Sequence, residues 1–214
     1  MIKTAATLVG QKTNKSAMGR HSRFNRNTVL DHTLSLFWSR GFAASSVRQL
    51  EEVTDLHPGS IYHQFQNKEG LYLAVLQRYI DHQLTGRIDR HLLSGSPLEG
   101  LRRFFTSGYR HPKDEQYRNC CFLACTSTEL HLLPDEARTL VHRGLEEIQQ
   151  ALEQQLQKAL HKSILRADFD CPTGARELVS FFLGLQLLAR INPNQHQLDR
   201  QVKNSLQQIL QPRQ

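Results

Sequence analysis

The stretch SSVRQLEEVTDLHPGSIYHQFQNK, Ser45–Lys68, decides how the chain is read. Ser46 and Gln49 have the spacing of a capping box, in which each side chain satisfies the other residue's backbone N–H at a helix start. Val47, Leu50 and Val53 then line one face of a short helix, with Leu56 beneath the following turn. Pro58 suits the first position of a next helix, where its missing N–H has no intrahelical partner to lose. Asn67 caps a further helix that opens with Lys68. Two short helices at a steep angle around a tight turn are a standard means of delivering a helix N-terminus into the DNA major groove.

Upstream, Val29, Leu30, Thr33, Leu34, Phe37 and Trp38 recur at helical spacing, predicting a helix over Arg26–Arg40 with Gly41 as a left-handed cap. Downstream, Leu71, Val75, Tyr79 and Ile80 mark the buried side of a helix that can run on toward Leu93. Ser96, Pro97 and Glu99 supply a second capping box with a first-position proline. Beyond Pro112 a charged loop reaches Tyr117, followed by a helix over Cys121–His131 that stops at Leu133-Pro134. Val141, Leu145, Ile148, Leu152, Leu156 and Leu160 carry an apolar seam to His161. Two last helices, over Thr173–Ile191 and Gln195–Leu210, flank the turn at Asn192-Pro193-Asn194. No segment sustains a two-residue alternation between hairpin turns, so the expected class is all-α.

The chain has 214 residues, of which 39% are hydrophobic and 22% charged, enough apolar content for a core. Its net charge of +7 favours a polyanionic partner, nucleic acid or an anionic membrane surface. Lys3, Lys12, Lys15, Arg20, Arg23 and Arg26 all precede the first acidic residue, Asp31, as a solvated tail or as an arm reaching DNA phosphate or minor groove. No apolar run is long enough to span a bilayer and no signal-peptide core is visible, so a cytoplasmic protein is expected. Four cysteines, three within Cys120–Cys125, are no disulfide framework for this length. There is no G-x-S-x-G, P-loop, dinucleotide fingerprint or H-E-x-x-H, which argues against an enzyme. No cofactor is expected; Cys121 and Cys125 stand at i, i+4, but no four-ligand metal set accompanies them.

On Gly41-Phe42, Ser46-Val47-Arg48-Gln49-Leu50, Gly59-Ser60-Ile61-Tyr62, Phe65 and Lys68-Glu69, the chain resembles the TetR/AcrR family of bacterial transcriptional regulators. Strong similarity covers roughly residues 26–80; the remainder is similar only in helix number and order. The resemblance implies a basic extension over 1–22, a helix-turn-helix domain over 23–70, and a helical ligand-sensing and dimerisation domain over 71–214. It also implies DNA contacts from Ser46, Arg48, His57, Pro58, Gly59, Ser60, Tyr62, His63, Gln64 and Lys68. Gly59 lets backbone approach DNA closely, and the helix N-terminus offers N–H groups to phosphate. Tyr62 joins a packing ring to a hydroxyl that reaches phosphate, and Arg48 is long enough for a guanine edge. Lys68 is misplaced for the dipole of its own helix, which an external anion would explain. Bland readings stand beside these: core aromatics at Tyr62 and Phe65, a solvated Arg48, a merely capping Ser46. One departure is Asp55, where the family commonly carries glycine; Asp tolerates positive φ better than most residues.

A helix as apolar as the one through Phe181, Phe182, Leu183, Leu185, Leu187 and Leu188 must be covered on most sides. A homodimer contact through Phe181, Phe182, Leu185, Leu188, Val202 and Leu206 is one solution, which the resemblance also implies; a core helix within one protomer is the other. For a small-molecule effector the candidate lining is Tyr79, Phe104, Phe105, Tyr109 and Phe122, residues that equally suit a plain core. A thiol at Cys121, at a helix start beside Arg118, is an alternative trigger. The expected function is a homodimeric repressor released from a palindromic double-stranded DNA operator by a ligand or by cysteine modification. A helical scaffold binding nucleic acid without sequence preference is the competing reading, and a small helical enzyme a weaker one.

Overall fold

A computed structural model describes residues 25–210, the side chain of Gln116 excepted, and every α-helix and turn below lies in that range. The N-terminal extension with Arg20 and Arg23 lies outside the described residues. Helix α1, Arg26–Arg40, starts at Asn25, whose Oδ1 accepts the N–H groups of Asn27 (3.0 Å) and Thr28 (3.3 Å). Its apolar stripe faces inward as expected, with Phe37 fully covered. The helix ends at Gly41, but there φ is +82° and ψ 175°, so the expected left-handed helical cap is replaced by a positive-φ, extended-ψ exit. A Cβ at Gly41 would stand 2.7 Å from a Glu129 carboxylate oxygen, which explains the residue type twice over.

Helix α2, Val47–Thr54, opens with both halves of the capping box: Gln49 N–H to Ser46 Oγ (3.3 Å) and Ser46 N–H to Gln49 Oε1 (2.9 Å). Asp55 follows at φ +54°, ψ 32°, the left-handed conformation anticipated for it. Helix α3, Pro58–Phe65, starts on its proline and buries Ile61 and Phe65. Gln66 then takes φ +69° and ψ −52°, and Asn67 N–H bonds back to the Phe65 carbonyl (2.9 Å), the geometry of a strained γ-turn. Helix α4, Lys68–Arg78, is capped by Asn67, which accepts Gly70 N–H at 2.7 Å.

The rod continues through a π-helical stretch, Tyr79–Leu84, the single turn α5, Thr85–Arg87, and a second π-helical stretch, Ile88–Leu92. The expected extension toward Leu93 is therefore present, with two widened segments that periodicity did not reveal. Helix α6, Pro97–Ser107, begins on Pro97 without the expected capping box. The Glu99 carboxylate instead takes Arg102 at 2.7 Å, since a guanidinium offers two charge-assisted bonds against one neutral N–H.

The expected charged loop is a 3-10 segment, Lys113–Asn119, tied by Arg118 to Glu115 (2.8 Å). Helix α7, Phe122–Ser127, is shorter than expected; Thr126, Ser127 and Thr128 turn their hydroxyls onto carbonyls three or four residues back, a local alternative to propagation. Helix α8, Asp135–His161, pairs along its length with α9, Cys171–Ile191, which starts two residues before the expected Thr173 because Asp170 is its cap. Helix α10, Gln195–Leu210, packs on α6 and α9 and has the expected limits.

One aromatic cluster fastens the N-terminal helices to the rest. Tyr72 meets Phe37 (4.8 Å between centroids) and Phe42 (5.3 Å), while Trp38 meets Tyr79 (5.2 Å) and Phe122 (5.8 Å). The turn into α4 has less room: a Cβ at Gly70 would collide with the Phe65 carbonyl oxygen. Gly70→Ala is therefore expected to destabilise the fold by about 1–3 kcal/mol, the usual cost of overpacking, although alanine is the better helix former. Urea unfolding checks this; an unchanged midpoint would mean that the turn relaxes freely.

Candidate nucleic-acid interface and a basic cavity behind it

Helix α3 and the first turn of α2 share one open face. Ser46, Arg48, His57, Gly59, Ser60, His63 and Gln64 are exposed, Pro58 is half-buried, and Tyr62 shows 43% of its surface. Tyr62 is thus no core aromatic, whereas Phe65 is buried, with the Arg26 guanidinium 5.1 Å above its ring. Arg48 is 87% exposed and pairs only with Glu52 (3.2 Å), a contact worth little in water and easily exchanged. A Cβ built at Gly59 meets nothing within 4 Å, and its φ is not positive. No described residue of the protomer requires glycine there.

Lys68 departs from expectation. Its Nζ lies 4.3 Å from the Phe42 ring centroid and is half-buried, and burial draws its pKa down. The chain supplies this cation with a partner, so an external anion is not needed to account for its position. Sequence reasoning missed Glu129 altogether. Its carboxylate accepts the N–H groups of Phe42 (2.8 Å) and Ala43 (3.1 Å), tying the loop before α2 to the segment after α7.

Behind this domain lies a cavity of about 240 Å³. Of the expected effector-lining residues, only Tyr79 and Cys121 reach it; Phe104, Phe105 and Tyr109 are fully buried against one another or against α9 and α10, and Phe122 against Trp38, Tyr72 and Tyr79. The walls are instead basic: Arg87, Arg90, Arg118, His82, His91 and His111, with no carboxylate among the described lining residues. Trp38 of α1 forms part of the same wall. Burial, reinforced by neighbouring arginines, holds the imidazoles of His91 and His111 below their ordinary pKa. The charge run Arg87-x-x-Arg90-His91 was legible as sequence, but its inward turn was not.

The dimer candidates also divide. Phe182, Leu185, Val202 and Leu206 are buried within the protomer, by α6, α8 and the α9–α10 contact, and are unavailable to a partner. Phe181 is half-buried on Phe105, and only Leu188 is exposed. The uncovered apolar surface of α9 is Leu187, Leu188 and Ile191, the last 80% exposed, beside Gly184, whose α carbon faces open space.

All four cysteines are buried and free. Cys121, at the N-cap of α7, contacts the Tyr79 hydroxyl at 3.2 Å; burial pushes its thiol pKa up, more than Arg87 draws it back. Position at a helix start does not make it a thiolate. One turn on, Cys125 is the opposite case. The neighbouring Cys120 thiol, and then Arg190 with Nη1 at 2.7 Å, hold the Cys125 thiol below its ordinary value. Cys125 also borders a hollow shared with Arg40, Glu129 and Leu187.

Comparison with known proteins places this geometry in a family. Residues 29–75 match "Bacterial regulatory proteins, tetR family", and residues 97–204 match "Tetracyclin repressor-like, C-terminal domain". The HTH-type transcriptional repressor ComR of Escherichia coli is 45% identical over 67 residues, which is 31% of this chain and only 32% of ComR. The HTH-type regulator YezE of Bacillus subtilis is 23% identical over 190 residues, 88% of this chain and 98% of YezE. Among solved structures, a cysteine-substituted TetR-family regulator CifR with 26-bp operator DNA superposes with a TM-score of 0.73 at 24% identity, covering 88% of this chain and 98% of CifR.

The contrast between the two thiols is open to direct measurement. Iodoacetamide is expected to label Cys125 several-fold faster than Cys121 in the native protein, and Arg190→Gln is expected to slow that reaction, both followed by peptide mass spectrometry. Faster labelling of Cys121 would contradict the assignment.

Proposed function

Since the chain belongs to the TetR family of bacterial regulatory proteins, we propose that it is a homodimeric transcriptional repressor: a pair of α3 helices reads a palindromic operator and lets go when an effector fills the basic cavity. Residues 23–70 form the DNA-reading part and residues 71–214 the effector and dimer part, with the rod from Lys68 to Leu92 crossing between them. Gly59 carries the reading. A helix with glycine at its second position, open space around it and no demand for it among the described residues points to a reason outside them. Double-stranded DNA supplies one, because the N-terminus of α3 can then approach base edges or phosphate without a methyl group in the way.

Ser46, Arg48, His57, Ser60, Tyr62, His63 and Gln64 surround that point on the open face. Lys68 packs on the Phe42 ring, so its contribution to DNA binding is secondary to that contact. The net charge of +7 adds attraction to the duplex that weakens with salt. Relatives support the sign of regulation: ComR, KstR2 and DhaR are each named repressors. Such a role belongs to the bacterial cytoplasm and asks for no catalysis. No described helix is long and apolar enough to cross a membrane.

The second copy docks on Leu187, Leu188 and Ile191 of α9, with Gly184 permitting close helix approach. These positions fall on one face at helical spacing. A nonspecific scaffold would show the same salt dependence but bind random duplex as tightly as operator.

Gly59→Ala separates function from folding. Stability is expected to hold or rise by up to about 1 kcal/mol, from helix propensity. Affinity for the selected operator, measured by fluorescence anisotropy, is expected to drop at least several-fold, as it does for Tyr62→Ala. Operator binding at the wild-type level in both variants would refute the interface. Ile191→Asp is expected to shift the protein to monomer in sedimentation velocity and to weaken operator binding with it; a dimer of undiminished affinity would place the contact elsewhere.

A further inference from the structure

We propose that the cavity behind the DNA-reading domain binds a small organic oxyanion, a carboxylate with a flat or unsaturated body, and that Arg87 holds its charge. This deepens the regulatory reading and rests on it only for the role of effector; the binding chemistry stands without it.

Arg87 projects from the single α-helical turn between the two π-helical stretches. Its Nε donates to Ser107 Oγ (3.1 Å) and one terminal nitrogen, Nη2, to the Phe104 carbonyl (2.8 Å). Its plane lies 4.7 Å from the Phe104 ring centroid and 5.4 Å from that of Phe182. The groups near enough to favour its charge are a thiol and a phenol, Cys121 and Tyr79, rather than a carboxylate. Burial accordingly draws down even the guanidinium pKa. Nη1 has no acceptor among the described residues, although the side chain borders the cavity. A half-buried cation with no carboxylate beside it among the described residues is held at some cost, because part of its hydration is lost and no opposite charge replaces it. An anion entering the cavity supplies the missing charge.

A second arginine repeats the pattern. Arg118 gives Nη1 to Glu115 (2.8 Å), but its Nε is buried without a partner among the described residues. His91 and His111 sit in the same positive field, their protons disfavoured first by burial and then by Arg87, Arg90, Arg103 and Arg118. Carboxylate matches the planar fork of a guanidinium. The remaining wall selects the body of the ligand: the Trp38 and Tyr79 rings border the space. At about 240 Å³ the cavity is smaller than the usual range of about 300–1,000 Å³ for ligand sites, which suits a small anion.

Occupancy has a direct path to DNA binding. Trp38 belongs to α1, which packs on both α2 and α4, and its indole N–H donates to the Cys120 carbonyl at 2.6 Å. The Arg118 guanidinium lies 5.3 Å above that indole. An anion that draws Arg118 and Arg87 together changes what Trp38 rests against, and with it the seat of α1. That gives the ligand a differential affinity for two arrangements of the reading head, the requirement for release.

The test uses the full-length dimer in low-salt buffer and a panel of acetate, butyrate, benzoate and salicylate against the corresponding neutral amides, with inorganic phosphate as a separate arm. Binding is read by calorimetry and melting temperature. At least one carboxylate is expected to bind about tenfold or more tighter than its amide, the ratio of a charge-assisted contact to a neutral one. Arg87→Met is expected to abolish that preference and to melt no lower than wild type without ligand, while Arg87→Lys keeps part of the preference. Equal binding of amides and carboxylates, absence of binding by all carboxylates, or binding of phosphate alone overturns the proposal. So does an Arg87→Met variant that melts well below wild type while retaining carboxylate preference, which would make Arg87 structural. Operator affinity without ligand is measured in parallel. Carboxylate binding in a protein that ignores DNA sequence would sink the regulatory reading and leave this one standing; selective DNA binding without carboxylate preference would do the reverse.

Discussion

The Trp38 indole, donating its N–H to the Cys120 carbonyl at 2.6 Å while packed between Tyr79, Tyr117 and Phe122, sets the orientation of the DNA-reading helices on the larger helical body. Glu129 acts in parallel just past the C-terminal end of α1, holding the Phe42 and Ala43 N–H groups. Both contacts run from the 120s back to the segment before α2. Neither reaches α3 directly. The recognition helix is therefore aimed through α1 and the short loop after it, so a small change in the seat of α1 moves α3 as a unit. Packed interfaces of this kind shift between discrete arrangements more readily than they deform.

The legible part of the molecule was its local part. Ser46 with Gln49, Asn67 before Lys68, and the limits of α1 and α10 depend on neighbours a few residues away, and the structure keeps them. Local reasoning misled where two local partners competed, as at Glu99, which chose Arg102 over its own helix cap. It was silent where the decisive partner is distant. Cys121 and Cys125 differ by one helical turn, yet their surroundings diverge: burial dominates at Cys121, while the Cys120 thiol and then Arg190, arriving from α9, act on Cys125. Phe182 and Leu188 are alike as residues, but a helix apolar on every side gives no sign of which flank faces its own core. Arg87 looks like a surface residue until α6 and α9 close over it.

Two of the three non-glycine residues with positive φ among the described residues flank the reading helix; the third, Ser163, follows α8. Asp55 before α3 and Gln66 after it both adopt positive φ without being glycine, and Gly70 stands where no side chain fits. Residues in such conformations persist only when their surroundings over-determine them. Here the surroundings are the caps of α2 and α4 and the buried Leu50, Ile61 and Phe65. The result is a short helix pinned at both ends, with its exposed face left free.

The rod from Lys68 to Leu92 changes winding at Tyr79–Leu84, where the turn carries more residues than an α-helix does. Each residue of an α-helix advances the azimuth by about 100°, so one residue absorbed into a wide turn re-phases everything after it. Deleting a single residue there would regularise the winding and swing the guanidinium of Arg87 round toward bulk water, while the preceding α4 face kept its register. In evolutionary terms, one codon gained or lost in this stretch is enough to take Arg87 into or out of the chamber wall, leaving the part that meets DNA untouched.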